Sequence, residues 1–495
     1  MTWTIDQQLA LTATEAVAAI QSGRLQAVDY VATLLDRAAT LSMLNALTAL
    51  NRDGALNDAR RIDALPTHEK SMYPLAGLPI VVKDNINTQG LLTSAGTPAL
   101  DTFIPTTNAP SVQRLIDAGA IIVGKTNMHE LAFGITSTNF SSHAGPVRNP
   151  YNPSLIAGGS SGGTAAAIAG RIVPAGLGTD TGGSTRIPAA LTGIAGFRPS
   201  VGNGGRERRY HNPNAVVPIS HTRDTVGPMA RTVADVAMLD GVMTSDGELP
   251  AVALTGLRIG LPAELWEGLD NAVESVARAA LRRLESAGVT WVDVAMPDLL
   301  PLSEKISFPV ALHEPIDGLR AWLIANNAPV KTIAEVALRI ASPDVRRAYA
   351  SVIADEFGAH YQAAMTTWRP QLQQLYSATF AIHRLDALLF PTTLLAAVPH
   401  DEINGSSTVS INGGAPVDQM KTYLRNTDPG SIAGIPGLSL PAGMTDQGLP
   451  VGIEIDGPTG GDRRLLAIGV ALERVLGPIA APVISRSNAN TPVIS

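Results

Sequence analysis

Two glycine-serine runs lie close together in this 495-residue chain: Gly158-Gly159-Ser160-Ser161-Gly162-Gly163-Thr164, and Gly178-Thr179-Asp180-Thr181-Gly182-Gly183-Ser184-Thr185-Arg186. Glycine supplies 11 of the 39 residues from Gly158 to Gly196 but only 46 of the whole chain, an enrichment of about threefold. Each run leads into a helix-forming stretch, Ala165–Ala169 and Ile187–Leu191. The first N–H groups of a helix have no internal partner, and glycine lets the chain before them curl so that several converge on one point. Such a nest holds a phosphate or a developing oxyanion. A phosphate loop would carry a Lys after its last glycine, or a Gly-x-Gly-x-x-Gly pattern with a later acidic residue, and neither is present where such a fold needs it. A serine inside each nest points instead to acyl transfer, with serine as nucleophile and backbone N–H groups as the oxyanion hole. Flexible turns are the bland alternative. Two runs, each feeding an apolar helix pattern, weigh against it.

A serine hydroxyl needs a base beside it. Gly158-Gly159-Ser160-Ser161-Gly162 fits Gly-x-Ser-x-Gly, the turn that carries the nucleophile in hydrolases of the order Ser, acid, His. In that reading the base is His313, His360, His383 or His400, and the protein is a His-dependent serine esterase. The other candidate base is Lys83, which closes the apolar run Leu78-Pro79-Ile80-Val81-Val82 at the end where α/β sheets place their sites. A free lysine, with a pKa of about 10.4, is a poor base at neutral pH, and burial beneath apolar strands lowers that value. Metal chemistry lacks its spacing: neither His129-Glu130 nor His313-Glu314 has a second histidine one helical turn on. The chain has no cysteine, so disulfides, thiolate metal sites and a cysteine nucleophile are excluded. No cofactor and no metal are expected.

Hydrophobic residues make up 45% of the chain, enough for a sizeable core. The 36 basic and 43 acidic residues leave a net charge of −7 with no basic block, which argues against nucleic acid or an anionic membrane as partner. The N-terminus has no basic stretch ahead of an apolar run, and no apolar run reaches the roughly 18–20 residues needed to span a bilayer. A cytoplasmic protein is the expectation.

The elements that must position these residues follow from periodicity. Residues up to about 45 predict two helices, with a capping-box pair at Thr12 and Glu15, a stop at Gly23, and an apolar face of Val28, Val31, Ala32 and Leu35. Unbroken apolar runs at 78–82 and 120–123 flank a helical stripe of Val112, Leu115 and Ile116. The pattern repeats as strand 257–261, helix 270–287 and strand 289–294. Helix formers dominate 300–380, strands return at 385–390 and 451–455, and a helix follows near 464–476. Strands without alternation, separated by helices, predict an α/β fold with a mixed, mostly parallel central sheet covered by helices on both faces.

Val81-Val82-Lys83-Asp84-Asn85, Gly158–Gly163 and Thr179–Pro188 resemble the amidase signature family. The likeness runs from the N-terminal helices through Gly227-Pro228 and resumes at Leu389-Phe390-Pro391-Thr392-Thr393 and Leu449-Pro450-Val451-Gly452. It implies the amidase signature fold, organised as an N-terminal helical element (1–60), an α/β domain (61–480) with a variable helical region at about 300–380, and a polar tail (481–495). It also implies a Ser–Ser–Lys triad. Ser184 would be the nucleophile, Ser160, in a cis peptide, the bridge, and Lys83 the ultimate base and acid. The N–H groups of Thr181, Gly182, Gly183 and Ser184 would form the oxyanion hole. Ser161, Asp180 and Arg186 would support the loop.

The stretches Thr126–Gly134 and Pro218–Thr225 look most like the mandelamide and indoleacetamide hydrolases of that family. They imply a small aryl or arylalkyl amide as the partner molecule, with Met128, His129 and Phe133 lining its pocket. Arg223 and Asp224 read as structural polar contacts, and the charged segment 203–209 is expected at the pocket rim. A homodimer and an amidotransferase-type subunit delivering ammonia stay open as alternatives.

Overall fold

The computed structural model describes residues 3–484. The polar tail expected at 481–495 therefore lies, from 485 on, outside the described residues.

Among the described residues thirteen strands are formed: β1 (Leu47–Leu50), β2 (Pro79–Lys83), β3 (Ile121–Thr126), β4 (Ala175–Asp180), β5 (Ala195–Arg198), β6 (Thr225–Ala230), β7 (Arg258–Pro262), β8 (Thr290–Val294), β9 (Ala387–Pro391), β10 (Thr408–Val409), β11 (Val417–Asp418), β12 (Gly437–Met444) and β13 (Pro450–Asp456). Eleven make one sheet in the order β1-β3-β2-β4-β6-β5-β12-β13-β9-β7-β8, and β10 pairs with β11 alone. The sheet is mixed. Parallel pairs form two blocks, β3-β2-β4 and β9-β7-β8. The pairs joining those blocks, and β1 with β3 at one edge, are antiparallel. The apolar runs of the sequence announce the parallel blocks. The antiparallel middle comes from β4, β5, β6 and β12, whose segments AGLGTD, AGFR, TVGPMA and GLSLPAGM are rich in Gly, Ala and Pro and carry little strand propensity of their own.

Helices cover both faces, as the alternation along β12 shows. A Cβ on Gly469 of the helix Asp462–Leu476 would meet the Leu438 side chain, whereas a Cβ on Gly437 would meet the Arg186 guanidinium. Adjacent residues of a strand point to opposite faces, so the helices Asp462–Leu476 and Arg186–Thr192 sit on opposite sides. The first group of helices is Ile5–Ala10, Ala13–Gln21 and Ala27–Thr40. That is one more than the periodicity predicts, because a second capping box at Thr4 and Gln7 starts a separate short helix. The predicted box at Thr12 and Glu15 is formed.

Region 300–380 is helical, from Leu299–Ala311 through Arg369–His383. Its middle helices enclose a second hydrophobic cluster with Phe103, Met128 and Phe133, pinned by edge-to-face contacts of Phe103 with Trp322 (5.2 Å) and Phe133 with Tyr349 (5.1 Å). Phe133, Ile219 and Leu312 of this cluster share a cavity wall with Thr181, Gly182 and Ser184. No helix among the described residues is long and apolar enough to cross a membrane.

Candidate active site

β2 is bonded to β3 and β4 on its two edges and every residue in it is buried, which is why its sequence is apolar without alternation. Burying each Val or Ile there contributes about 1.5–3 kcal/mol. That packing carries Lys83, the last residue of the strand, into a site with no solvent access. Its Nζ lies 2.7 Å from Ser160 Oγ and 2.8 Å from Thr179 Oγ1. Burial pulls the Lys83 ammonium well below the usual lysine range, and the charges of Asp180 and Asp224 only partly oppose it.

Ser160 follows a cis peptide bond after Gly159 and is fully buried. The chain reaches it by passing flush against the helix Arg186–Thr192. Gly158 has φ +77°, and a Cβ there would fall 2.7 Å from Pro188 Cα, so the position requires glycine. Ser161 joins the two glycine-serine runs: its N–H donates to Ser184 O (3.1 Å) and its hydroxyl donates to Thr179 O (3.1 Å).

The second run turns sharply between β4 and the helix Arg186–Thr192. Asp180 organises the turn. Its carboxylate accepts the N–H of Gly183 (2.9 Å), the N–H (3.0 Å) and hydroxyl (2.9 Å) of Thr185, and the guanidinium groups of Arg186 and Arg198. Burial alone would raise this carboxyl, but the two arginines hold it well below the ordinary carboxylate range. Arg186 in turn pairs with Glu454 and donates to Thr427 O (3.1 Å), tying the loop to β13 and the helix Asp428–Ala433.

Of the four N–H groups expected to form the oxyanion hole, Gly183's is spent on Asp180. Those of Thr181, Gly182 and Ser184 have no partner among the described residues. The Ser184 hydroxyl is likewise without a protein partner, so the Lys83–Ser160 half of the expected relay is hydrogen-bonded and the Ser160–Ser184 half is not.

Gly183 has φ +141°, and a Cβ on it would lie 2.2 Å from Thr427 Oγ1 and 2.9 Å from Ile187 Cδ1. Gly183→Ala is therefore expected to push the loop out of register and lower kcat by about 10²-fold or more, with the fold retained by circular dichroism. Turnover within threefold of the parent would show that the loop does not hold the reacting carbonyl.

Ser184, Thr181 and Gly182 open onto a cavity of about 280 Å³ whose other walls are mainly apolar, including Phe133, Ile219, Phe308, Leu312, Met420 and Leu424. Of the three residues expected to line a substrate pocket, Phe133 is on the wall of this cavity. Met128 and His129 are not: Met128 packs inside the second hydrophobic cluster, and the His129 ring is fully buried, with Nδ1 accepting the Ser137 N–H (3.2 Å). The charged segment 203–209 is not at this rim. Gly205 and Arg208 line a separate cavity of about 540 Å³, and Arg209 is paired with Asp240 and Asp246.

No candidate histidine bonds either serine. His313 pairs with Asp355, His400 meets the Thr138 hydroxyl (2.8 Å), and the sole partner of the Ser160 hydroxyl among the described residues is Lys83. No group of three or more His, Asp or Glu side chains among the described residues is placed to hold a metal ion.

Sequence reasoning assigned no part to Thr179 or Asp428, and it named Arg223 only as a structural polar contact. Thr179 is the second partner of Lys83 and also accepts the Asn85 side-chain N–H (3.1 Å). It stands next to Asp180 in the second run, which was its only signal. Arg223 and Asp428 both line the cavity and form an ion pair, a pairing across 205 positions that no local pattern announces. Asp224, expected as a structural contact, accepts the Thr181 hydroxyl (2.7 Å) and the N–H groups of Ile219 (2.8 Å) and Ser220 (2.9 Å).

Comparison with known proteins gives consistent matches. The Amidase family model matches residues 29–466. The chain is 45% identical to the indoleacetamide hydrolase of Rhizobium radiobacter over 91% of this chain and 94% of that protein. It is 42% identical to the mandelamide hydrolase of Pseudomonas putida over 94% and 92%. Its fold superposes on the crystal structure of native peptide amidase from Stenotrophomonas maltophilia with a TM-score of 0.80 at 30% identity, covering 96% of this chain and 98% of that one.

Proposed function

Because the chain belongs to the amidase family and is thereby a hydrolase of C–N bonds in linear amides, we propose that its substrates are small aryl or arylalkyl carboxamides, cleaved through an acyl-enzyme on Ser184. One observation carries this reading: a fully buried lysine amine 2.7 Å from a serine hydroxyl, behind a second serine that opens onto an apolar cavity beside unpaired backbone N–H groups.

The chemistry follows from those groups. Burial leaves Lys83 neutral in a larger fraction of molecules than a free lysine would be. A neutral amine can donate one N–H to Thr179 Oγ1 and keep its lone pair for the Ser160 proton. When substrate fills the cavity, Ser184 Oγ attacks the amide carbon and its proton passes to Ser160, whose own proton passes to Lys83. Hydrogen bonds of this kind tighten only once substrate is bound. The N–H groups of Gly182 and Ser184, with Thr181 adjacent, take the negative charge on the former carbonyl oxygen, while Gly183 fixes the loop through Asp180. The protonated Lys83 returns a proton by the same relay to the departing amine. Water enters by the reverse path and releases the carboxylate.

The apolar walls and the relatives' names, indoleacetamide hydrolase and mandelamide hydrolase, support an aromatic acyl group. A panel of arylacetic, benzoic and aliphatic carboxamides, carbamates and anilides, followed by amine release, tests it. Arylacetic amides are expected to lead in kcat/KM by about tenfold or more over aliphatic ones. A preference for aliphatic amides would overturn the aromatic assignment, and release of ammonia only after a partner protein is added would favour an amidotransferase subunit instead.

A further inference from the structure

The loop that follows β3 holds three non-glycine residues at positive φ: Leu131 (+54°), Ala132 (+61°) and Ser137 (+56°). Such conformations persist only where the surroundings enforce them, and they gather at functional sites. The loop closes on Ser160. The His129 N–H donates to Ser160 O (3.1 Å), and the Ser137 hydroxyl donates to the same oxygen (3.4 Å) while accepting the Gly162 N–H (3.2 Å). A Cβ on Gly159 or Gly162 would lie 2.8 or 2.4 Å from Ser137 Oγ, so the run that carries Ser160 lies flush on Ser137. The His129 ring ties the two ends of the loop together, its Nδ1 accepting the Ser137 N–H (3.2 Å). A backbone N–H only donates, so the hydrogen of the neutral ring sits on Nε2. That atom lies 3.1 Å from Asp344 Oδ2, and neither has another partner among the described residues. A Cβ on Gly134 would fall 2.1 Å from Nε2, so the chain there leaves the ring no room to turn.

Asp344 belongs to the helix Pro343–Ile353. Arg347, Ala348 and Ser351 of that helix line the Ser184 cavity, and with Asp344 they fall at i, i+3, i+4 and i+7, on one face. Glu130 holds the start of the same helix by accepting the N–H groups of Ala341 (3.1 Å) and Ser342 (2.7 Å). We propose that His129 is a positioning residue with two separable roles. Through Nδ1 and Ser137 it fixes the Ser160 hydroxyl between Ser184 and Lys83. Through Nε2 and Asp344 it fixes the distance of the cavity helix from the reacting carbonyl. The inference rests on a proton relay through Ser160. The imidazole is not on the cavity wall, so it acts only through those two neighbours. A rigid ring with an acceptor at one nitrogen and a donor at the other meets both demands. Misplacing a relay hydroxyl slows the chemical step, whereas shifting a wall residue weakens binding.

Steady-state kinetics on the carboxamide that the parent cleaves best separate the two roles. His129→Gln keeps a donor near the Nε2 position and loses the Nδ1 acceptor. Its kcat is expected to fall by about tenfold to a hundredfold, with KM within about threefold of the parent. His129→Asn keeps an acceptor near the Nδ1 position and falls short of Asp344. Its KM is expected to rise by about fivefold to tenfold, with kcat within about threefold. Asp344→Ala is expected to repeat that rise in KM, and His129→Asn combined with Asp344→Ala to add nothing to it, because both remove one contact. Asp344→Asn keeps an oxygen for the Nε2 hydrogen and is expected to hold both constants within about threefold of the parent. Circular dichroism checks the fold of each variant. If a His129 variant fails to fold, Ser137→Ala, expected to lower kcat, and Asp344→Ala, expected to raise KM, decide the two roles. A common fall in kcat at unchanged KM in every variant, a parent kcat in His129→Gln, or a parent KM in Asp344→Ala would each overturn the assignment. If the parent cleaves no carboxamide, or Ser160→Ala turns over at the parent's rate, the proposed function fails and this inference falls with it. If Ser160→Ala is inactive while His129→Gln is not slowed, only this inference fails.

Discussion

Ser184→Ala is expected to lower kcat/KM for an arylacetic amide by about 10⁴-fold or more, equivalent to at least about 5 kcal/mol of transition-state stabilisation. The size follows from the role: without Oγ no acyl-enzyme forms, and only the oxyanion donors and the binding cavity remain to assist water. The protein should stay folded. The hydroxyl has no partner among the described residues, so its loss leaves none of them unpaired, and the loop is held by Asp180 and Arg186 instead. Rapid quenching during turnover, followed by mass spectrometry, is expected to find the acyl group on the peptide containing Ser184 in the parent and nowhere in the variant. An adduct on Ser160 would instead identify Gly158–Gly162 as the nucleophile turn and overturn the assignment of roles. Activity within tenfold of the parent would remove Ser184 from the mechanism.

Lys83→Met is expected to cost about 10³–10⁴-fold in kcat/KM, the range of a general acid–base group. Methionine fills the space of the lysine stem, so packing around β2 is kept and the proton acceptor is lost. The pH dependence gives an independent check. The working form of Lys83 is the neutral amine, so kcat/KM of the parent rises with pH through the lysine's folded pKa. Burial places that midpoint below the ordinary value of about 10.4. The variant's residual activity should lack this limb.

Stability carries the same sign. Between the lowered folded pKa and the ordinary one, the unfolded chain binds the Lys83 proton and the folded chain does not. Parent stability therefore climbs with pH across that window. Lys83→Met removes the slope, and its Tm is expected to gain on the parent as pH falls. A variant with the parent's pH–rate limb intact would show that another group is the base.

These two experiments bear on residues that local sequence already brought forward. Lys83 ends an apolar run, and Ser160 and Ser184 stand in glycine-rich turns before helices. Strand ends, helix starts and glycine-dependent turns are set by neighbours along the chain. For the same reason the flanking parallel strands β2, β3, β7, β8 and β9 could be found from apolar runs alone. The lining of the cavity beside Ser184 was legible only in part. Phe133 reaches the cavity, while Met128 and His129, close to it in sequence, turn into the second cluster and into hydrogen bonds of their own. An apolar or imidazole side chain near a site carries no mark of which way the backbone will point it.

The sequence by itself determined the chemical groups, a serine in each of two nests and a lysine at a strand end, because residue type and the turn it sits in are local properties. The tertiary structure decided which groups meet and in what state. Lys83 is held below its ordinary pKa because β3, β4 and the first glycine-serine run exclude water from it, and exclusion of water belongs to the neighbours, not to the lysine. Only the folded loop shows that the Gly183 N–H is taken by Asp180 and that the N–H groups of Gly182 and Ser184 have no partner among the described residues. The antiparallel middle of the sheet, where Gly, Ala and Pro give little strand signal, is held by cross-strand pairing between segments far apart in the chain. The Arg223–Asp428 pair arises in the same way, because a contact across 205 positions is set by the fold and not by neighbours along the chain.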